Sequence, residues 1–409
     1  MLTYREALQR VLDCVAPLPP RRVALGEALG RVAAEDVVAT DPVPPFTNSG
    51  MDGFAVRAAD IEDAREDARV SLRVLADLPA GQVAACEVTR GTALRIMTGA
   101  PLPGGADAVV PVERTTAAGD RVQVHRPVRR GANVRPAGED VPAGTRVVAR
   151  DAVLRAGDIG ILAEVGHTEV AVIPRARIAV ITTGDELVDA AERPGPGRIR
   201  DSNIHAVCAQ AAAFGAVGVP IPRVADRRAD MERSLHAAAA SADVIVTTGG
   251  ISMGAFDCVK EALEALGAER VFWRVAQKPA GPLGFWRLGA VPVFGVPGNP
   301  VAAMIVMEEY VRPALRKMMS LPRLFRPERH ATLEMPWERR ESDRRLHFLR
   351  VVAREEGGAW RARLAGPQGS GILWSMARAN ALALVPEDAT DVQAGAEVLL
   401  HLIGEPEDH

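Results

Sequence analysis

The sequence predicts a multidomain α/β plus β protein, and three observations carry that prediction. From Ala176 onward, apolar runs lead into glycine loops and then into Ala- and Leu-rich helical stretches, the texture of β-α units with a parallel sheet. Before Ala176, proline and glycine punctuate the chain so densely that long helices are rare, and short apolar alternations read as strands. After about Leu321 the chain becomes Arg-rich and strand-like through Leu402. At about 150 residues per domain, 409 residues correspond to two to four domains.

Composition narrows the function classes. With 48% hydrophobic and 25% charged residues, the chain is an ordinary folded protein rather than a disordered or low-complexity one. The 49 basic and 52 acidic residues nearly cancel, so no general affinity for nucleic acid or for an anionic membrane is encoded, and any anion site must be local. Cys14, Cys86, Cys208 and Cys258 form no C-x-x-C pair, which points away from a zinc site or a disulfide framework and toward a reducing compartment. No apolar run reaches the roughly 18 residues that cross a bilayer, so the expected location is the cytoplasm. Only Lys260, Lys278 and Lys317 are lysines; the other 46 basic residues are arginines. In such a chain a lysine marks a position that needs a compact point charge, and Lys278 is the one so placed.

The elements follow in order. Met1 to Leu12 has the apolar spacing of an amphipathic helix and lacks the apolar core of a signal peptide. Arg121 to His125 and Arg146 to Val148 alternate as strands. Arg177 to Ile181 is a strand entering Thr182-Thr183-Gly184-Asp185-Glu186, and Asp243 to Val246 is a second, entering Thr247-Thr248-Gly249-Gly250-Ile251-Ser252-Met253-Gly254. Val291 to Phe294 is a third, entering Gly295-Val296-Pro297-Gly298-Asn299-Pro300, and a helix runs from Val301 to about Met318. Another helix begins at Ile204 and ends before Gly215; any of Asp201, Ser202 and Asn203 can cap it, and capping is the role read for these positions. Pro300 suits the first turn of its helix. Gly357-Gly358 and Gly366-Pro367 are turns between the later strands.

In a doubly wound sheet, ligands sit at the carboxyl ends of the strands, and all three glycine loops fall at that edge. The phosphate-binding G-x-x-x-x-G-K-[ST], the dinucleotide-binding G-x-G-x-x-G and the zinc-binding H-E-x-x-H are all missing. Glu186 and Asp257 stand beside the glycine loops, where a carboxylate would repel phosphate unless a cation such as Mg²⁺ lay between them. The alternative is that both are first-turn acids favoured by the helix dipole. Lys278-Pro279-Ala280-Gly281-Pro282 is a stiff loop that could aim a cation at an oxyanion, or leave it solvated. Gly250-Ile251-Ser252-Met253-Gly254 matches the nucleophile elbow G-x-S-x-G, which would make Ser252 a hydrolase nucleophile. Against that, the preceding Thr247-Thr248-Gly249 lengthens the loop beyond a tight elbow. In the N-terminal half, three loops combine glycine and proline with Asp52, Thr98, Arg135 and Asp140, and they read as the second half of a site.

The succession NSGMDGFAV, RIMTGAPLPGGADAVVPVE, GANVRPAGEDV, TTGDEL, TTGGISMGAFD and VPGNPVAA resembles the molybdopterin molybdenumtransferase family, MoeA, found also as the E domain of gephyrin. The resemblance covers nearly the whole chain. It implies a MogA-like doubly wound α/β domain, residues 1–20 and 175–322, with inserted mostly-β domains and a C-terminal β-barrel-like domain. Residues 21–41 with 145–174 would form a linker and dimerisation domain, 42–144 the inserted β domain, and 323–409 the C-terminal one. The resemblance further implies a homodimer whose cleft takes the Asp52, Thr98 and Asp140 loops from one subunit and the α/β domain from the other. There molybdate would enter adenylylated molybdopterin with Mg²⁺-dependent release of AMP. A MogA-type adenylyltransferase would act upstream and apo-molybdoenzymes downstream.

Residue by residue, Asp52, Thr98, Arg135 and Asp140 match the family's positions in the N-terminal loops. Glu186, Asp226 and Asp257 match acidic positions in the α/β domain, with Glu186 and Asp257 assigned to Mg²⁺. Arg274 and Lys278 match basic positions, Arg274 standing where lysine is common. Gly184, Gly249, Gly250 and Ser252 line the substrate loops; Pro297, Gly298 and Pro300 fit the loop that closes the pterin pocket. Arg350 and Ser370 match positions that help to hold the oxyanion. Gly281 departs from the family's usual K-P-G-K-P, so one cationic contact is lost unless a neighbouring arginine supplies it. Phe54, where tyrosine is usual, removes one hydroxyl and keeps the ring. Besides the molybdenum-inserting transferase, the sequence leaves open a pterin-binding scaffold, a tungstate-preferring relative, and the Ser252 hydrolase.

Overall fold

A computed structural model describes residues 1–250, 258–339, 343–389 and 391–405. The chain divides into two compact units, one formed by residues 1–21, 30–32 and 172–409, the other by 22–29 and 33–171.

The second unit is built on a six-stranded sheet. Its strands run in the spatial order Ala108–Pro111, Gly53–Val56, Thr92–Ile96, Val70–Leu78, Arg121–Val124, Thr115–Ala118. Alternation along the strands loads both faces: Phe54, Val56, Ala93 and Val110 enter one core, and Ala55, Leu94, Ile96 and Val109 the other. Gly53 cannot carry a side chain, because a Cβ there would lie 2.0 Å from the Val110 carbonyl oxygen. The expected strand at 121–125 is Arg121–Val124, and Arg146–Val148 pairs with Val37–Val38.

The first unit begins with helix α1, Tyr4–Asp13, started by a capping box between Thr3 and Glu6. Its apolar face, Ala7, Leu8, Val11 and Leu12, is buried against the α/β sheet. The sheet strands are β1 (Arg177–Thr182), β2 (Val217–Pro220), β3 (Val244–Thr248), β4 (Glu269–Trp273), β5 (Gly284–Leu288) and β6 (Val291–Val296), in the order β2-β1-β3-β6-β5-β4. The first four in that order are parallel; β5 and β4 add an antiparallel edge that the sequence pattern does not reveal. Helices cover both faces, as near-continuous Val and Ile runs require. On one side α1, α2 (Asn203–Ala213) and α5 (Pro300–Val306) pack on Ile178, Val180, Val246 and Phe294. On the other, α3 (Arg228–Ser241) and α4 (Cys258–Ala265) pack on Ala179, Ile181, Ile245 and Val293. Each of these Val, Ile and Phe side chains, taken fully out of water, contributes about 1.5–3 kcal/mol.

The helix expected over 301–318 is present but not uniform: a π-helical turn, Met307–Val311, separates α5 from α6, Arg312–Met318. That turn buries Glu308 and Glu309. Arg326 and Gln210 satisfy Glu308, each at 2.8 Å, while Tyr4 and His401 satisfy Glu309 at 2.7 and 3.0 Å.

The C-terminal part closes on itself. Strands β7 (Glu328–Leu333), β8 (Leu346–Glu356), β9 (Ala359–Leu364), β10 (Ala381–Val385) and β11 (Glu397–Leu402) pair as β8-β9-β7-β11-β10, and β10 returns to β8, giving a five-stranded barrel. The Gly357-Gly358 turn links β8 to β9 with both glycines at positive φ. Gln277–Lys278, from the α/β part, adds alongside the start of β8 in parallel, with Lys278 opposite His347. Among the described residues no helix is long and apolar enough to cross a membrane.

Candidate active site

Three loops leave the carboxyl ends of β1, β3 and β6, and close approaches of backbone to backbone lock them together. The Thr183 amide donates to the Thr248 carbonyl at 3.1 Å, and the Gly249 amide to the Val296 carbonyl at 3.0 Å. Gly249 has φ +92°, and a Cβ there would lie 2.4 Å from the Thr183 carbonyl oxygen. Gly250, at φ +62°, would meet Val259 and Thr183 side chains at 2.9 and 3.0 Å. Gly184 is favoured by its backbone, at φ +151°, whereas the Glu186 carboxylate that a Cβ there would meet is the mobile end of an exposed side chain. Only glycine lets these loops come so close.

Two polar side chains brace the loops. The Thr183 hydroxyl donates to Asp226 Oδ1 at 2.5 Å and the Asp185 amide to Oδ2 at 3.4 Å, so Asp226 supports the first loop from behind. Asn203 Nδ2 donates to the Gly298 carbonyl at 2.8 Å and to Thr248 Oγ1 at 3.3 Å, tying the second loop to the third. The assignment of 201–203 to capping therefore holds for one residue. Asp201 Oδ1 accepts the Ile204 amide at 3.1 Å, Ser202 makes no side-chain cap bond, and Asn203 is a buried cross-link.

The loops enclose a cavity of about 600 Å³. Glu186, Gly249, Gly250, Pro297, Gly298 and Pro300 all line it, as do Thr183, Arg200 and Asn203. Pro282 and Gly371 complete the wall from the Lys278 loop and the barrel. The Ser370 carbonyl accepts the Val301 amide at 3.2 Å, which docks the 366–371 loop on the start of α5. Such a concave site, rich in backbone groups and carrying one exposed carboxylate, suits a phosphate-bearing ligand with a hard cation. Among the described residues no three His, Cys, Asp or Glu groups converge on a metal position. Mg²⁺ needs only one or two protein carboxylates beside substrate phosphates, and Glu186 fits that demand. Asp257 and Ser252 lie outside the described residues.

Arg350, expected at the oxyanion, is 1% exposed on β8. Its Nε donates to Ser375 Oγ at 3.1 Å, and its Nη2 to the Pro367 and Gly369 carbonyls at 3.0 and 3.1 Å. Burial lowers its pKa to about 10, still far enough above neutrality to keep the charge. It shapes the 366–371 loop, and it also lines a second cavity of about 130 Å³ with Lys278, Pro279 and Gln368. The 278–282 and 366–371 loops thus border both cavities. Lys278 Nζ donates to Asp343 Oδ2 at 3.1 Å. Arg274 turns the chain into this loop at φ +69°, its amide donating to the Leu283 carbonyl at 2.9 Å. At Gly281 an arginine is close by: Arg345 Nη1 lies 3.4 Å from where a Cβ would sit.

The second unit joins its own three loops. The amide and hydroxyl of Thr98 both donate to Asp52 Oδ1 at 2.7 Å, holding that carboxyl below its usual range, the amide contributing most. Ser49 and Gly99 exchange backbone bonds with the 97–101 loop and the 46–53 loop, and the Gly50 amide donates to the Asn133 carbonyl at 2.9 Å. Arg135 stands opposite Asn48 in the short ladder Asn48–Ser49 with Val134–Arg135. Asp140 is exposed beside the Val43–Val141 bridge, its amide bonded to Val43 at 3.0 Å. Asn203, Asp343 and Arg345 were missed by the sequence reading. Nothing local separates Asn203 from a cap, and Asp343 and Arg345 sit in a charge-rich run that reads as solvated surface.

Family profiles match the chain in three stretches: the MoeA N-terminal region (domain I and II) over residues 2–166, a probable molybdopterin binding domain over 179–317, and the MoeA C-terminal region (domain IV) over 337–403. The molybdopterin molybdenumtransferase 2 of Mycobacterium tuberculosis is 37% identical over 405 residues, covering 97% of this chain and 98% of the relative. The molybdopterin molybdenumtransferase of Staphylococcus epidermidis is 32% identical over 397 residues, covering 96% and 94%. Among solved structures, a molybdopterin biosynthesis MoeA protein from Pyrococcus horikosii superposes with a TM-score of 0.80 at 29% identity, covering 99% of this chain and 100% of that one.

Proposed function

Because the chain belongs to the molybdopterin molybdenumtransferase (MoeA) family and is a transferase of molybdenum cofactor biosynthesis, we propose that it inserts molybdate into adenylylated molybdopterin with release of AMP. The observation that carries this reading is the 600 Å³ cavity at the strand ends, where three glycine loops and the Glu186 carboxylate meet. Backbone N–H groups and Arg200 hold the nucleotide-pterin; Asn203 keeps the second and third loops in register around it. Glu186, with Asp257, is the holder of Mg²⁺, which neutralises charge on the pyrophosphate when bound. Lys278 and the loop shaped by Arg350 receive the oxyanion in the adjoining small cavity. Phosphoryl chemistry of this kind depends on positioning and charge more than on covalent participation by the protein.

The reading also includes a homodimer in which the Asp52, Thr98, Arg135 and Asp140 loops of one subunit serve the α/β domain of the other. It includes the four-domain division as well, which separate hydrophobic clusters in the sheet, inserted and barrel regions support. Delivery by a MogA-type adenylyltransferase, transfer to apo-molybdoenzymes and a cytoplasmic setting complete it; none of the four cysteines forms a disulfide, which suits that compartment. Arg345 beside Gly281 supports molybdate use despite the lost lysine.

The test is AMP release from adenylylated molybdopterin with Mg²⁺, comparing molybdate, tungstate and no oxyanion. Molybdate-dependent AMP, together with product that activates an apo-molybdoenzyme, is the expected result. Binding without release under every oxyanion would replace the transferase by a pterin-binding scaffold.

A further inference from the structure

Asp343 lies in the segment entering β8 and is 7% exposed. Its single carboxylate takes three charged donors: Arg345 Nε on Oδ1 at 2.7 Å, Arg345 Nη2 on Oδ2 at 2.9 Å, and Lys278 Nζ on Oδ2 at 3.1 Å. His347 Nε2 approaches Oδ2 to 3.3 Å without hydrogen-bond geometry. The backbone beneath is fixed too, since Arg339 Nη1 donates to the Asp343 and Arg345 carbonyls at 2.8 Å each.

Lys278 joins this cluster to the 130 Å³ cavity. The cavity wall also carries Arg350, which pairs with no carboxylate among the described residues, and Glu338. Positive charge is therefore in surplus. A lysine on a loop ordinarily spreads over many rotamers, and binding must remove that freedom. Here the ammonium is already held, yet the side chain keeps 41% exposure. Arg345 makes the arrangement workable. Its two-pronged bond keeps Asp343 compensated when Lys278 leans toward a ligand, so no buried charge is orphaned.

We propose that Asp343 is a positioning residue for the oxyanion step: braced by Arg345, it holds the Lys278 ammonium at the small cavity, ready for a tetrahedral dianion. The identity of that dianion as molybdate rests on the transferase reading; the geometry does not.

The test uses the full chain with its lysines reductively ¹³C-methylated, which keeps their charge; Lys260, Lys278 and Lys317 then give a spectrum in which Lys278→Arg assigns the signal. Sodium molybdate alone should move the Lys278 resonance of the wild-type protein. In Asp343→Asn that resonance should fall to the position of a solvated lysine. The molybdate KM should rise about tenfold while the KM for the nucleotide-pterin and kcat stay unchanged. Asp343→Glu should recover part of the shift. An Asn variant with wild-type resonance and wild-type molybdate response would overturn the proposal. So would equal losses toward both substrates with a lowered Tm, which would leave Asp343 a purely structural role. Should the Asn variant not fold, Asp343→Glu and Arg345→Lys are read by the same resonance: unchanged response in both rejects the proposal. If the wild-type chain releases no AMP, the transferase reading fails, and the molybdate titration still decides the role of Asp343.

Discussion

Gly249 combines φ +92° with a Cβ position 2.4 Å from a carbonyl oxygen, so Gly249→Ala must move two loops at once. The expected loss is about 3 kcal/mol or more, read as a lower urea midpoint, with nucleotide binding weakened alongside. Asn203→Ala leaves the Gly298 carbonyl without its side-chain donor. Stability should drop by about 1–3 kcal/mol, and the KM for the nucleotide-pterin should rise more than kcat falls. An unchanged KM would remove Asn203 from the site. The group around Asp343 also makes a pH prediction. Burial, outweighing Asp343, pushes the His347 pKa down to about 4, whereas an unfolded chain takes up that proton near pH 6.5. Between those values the unfolded state binds more protons, so stability falls as the solution is acidified from 6.5 toward 4. The Asp343 carboxyl, held far below its usual range chiefly by Arg345, adds a loss that begins as the pH falls into the ordinary carboxylate range and continues below it. Tm should thus decline over this window, and His347→Phe, which keeps a ring against Trp337, should flatten the decline. Equal slopes in the two proteins would show that other groups set it.

At the scale of elements, the local signals were strong where one short segment decides the outcome. The strand–glycine–helix punctuation placed β1, β3 and β6 within a residue or two, and Thr3 and Glu6 started α1 as a capping box does. Signals failed where the decision belongs to a partner far along the chain. Edge strands β4 and β5 are antiparallel because of what they pair with, and the π turn at 307–311 exists where Glu308 and Glu309 meet Arg326, Tyr4 and His401. The 366–371 loop is the clearest case, since a buried guanidinium from β8 organises it through the Pro367 and Gly369 carbonyls while also bonding Ser375. Arg350→Lys should therefore not rescue: one ammonium cannot span that fork, and the variant is expected to lose about 3 kcal/mol while raising the molybdate KM. Chemical unfolding and oxyanion titration together check this, and a lysine variant of wild-type stability would refute the loop's dependence on the guanidinium.

For the whole molecule, the proposed homodimer has a consequence that single-site measurements miss. If the Asp52 loop serves the other subunit's α/β domain, Asp52→Asn and Glu186→Gln homodimers should each be inactive. Mixed and allowed to exchange, they should regain about a quarter of wild-type activity, because half the dimers are hybrid and each hybrid has one intact site. No recovery after exchange, shown by mass, would place both residues in sites built from one subunit. The sequence by itself determined the class of fold, the three glycine loops and the family, because each is written in contiguous residues whose backbone needs are local. Tertiary structure alone decided that Asn203 ties loops rather than caps, that Arg350 spends its guanidinium on a loop, and that Asp343 gathers Lys278 and Arg345. Those roles depend on which distant polar groups are buried together, and burial makes each of them find a partner, whatever its position in the chain.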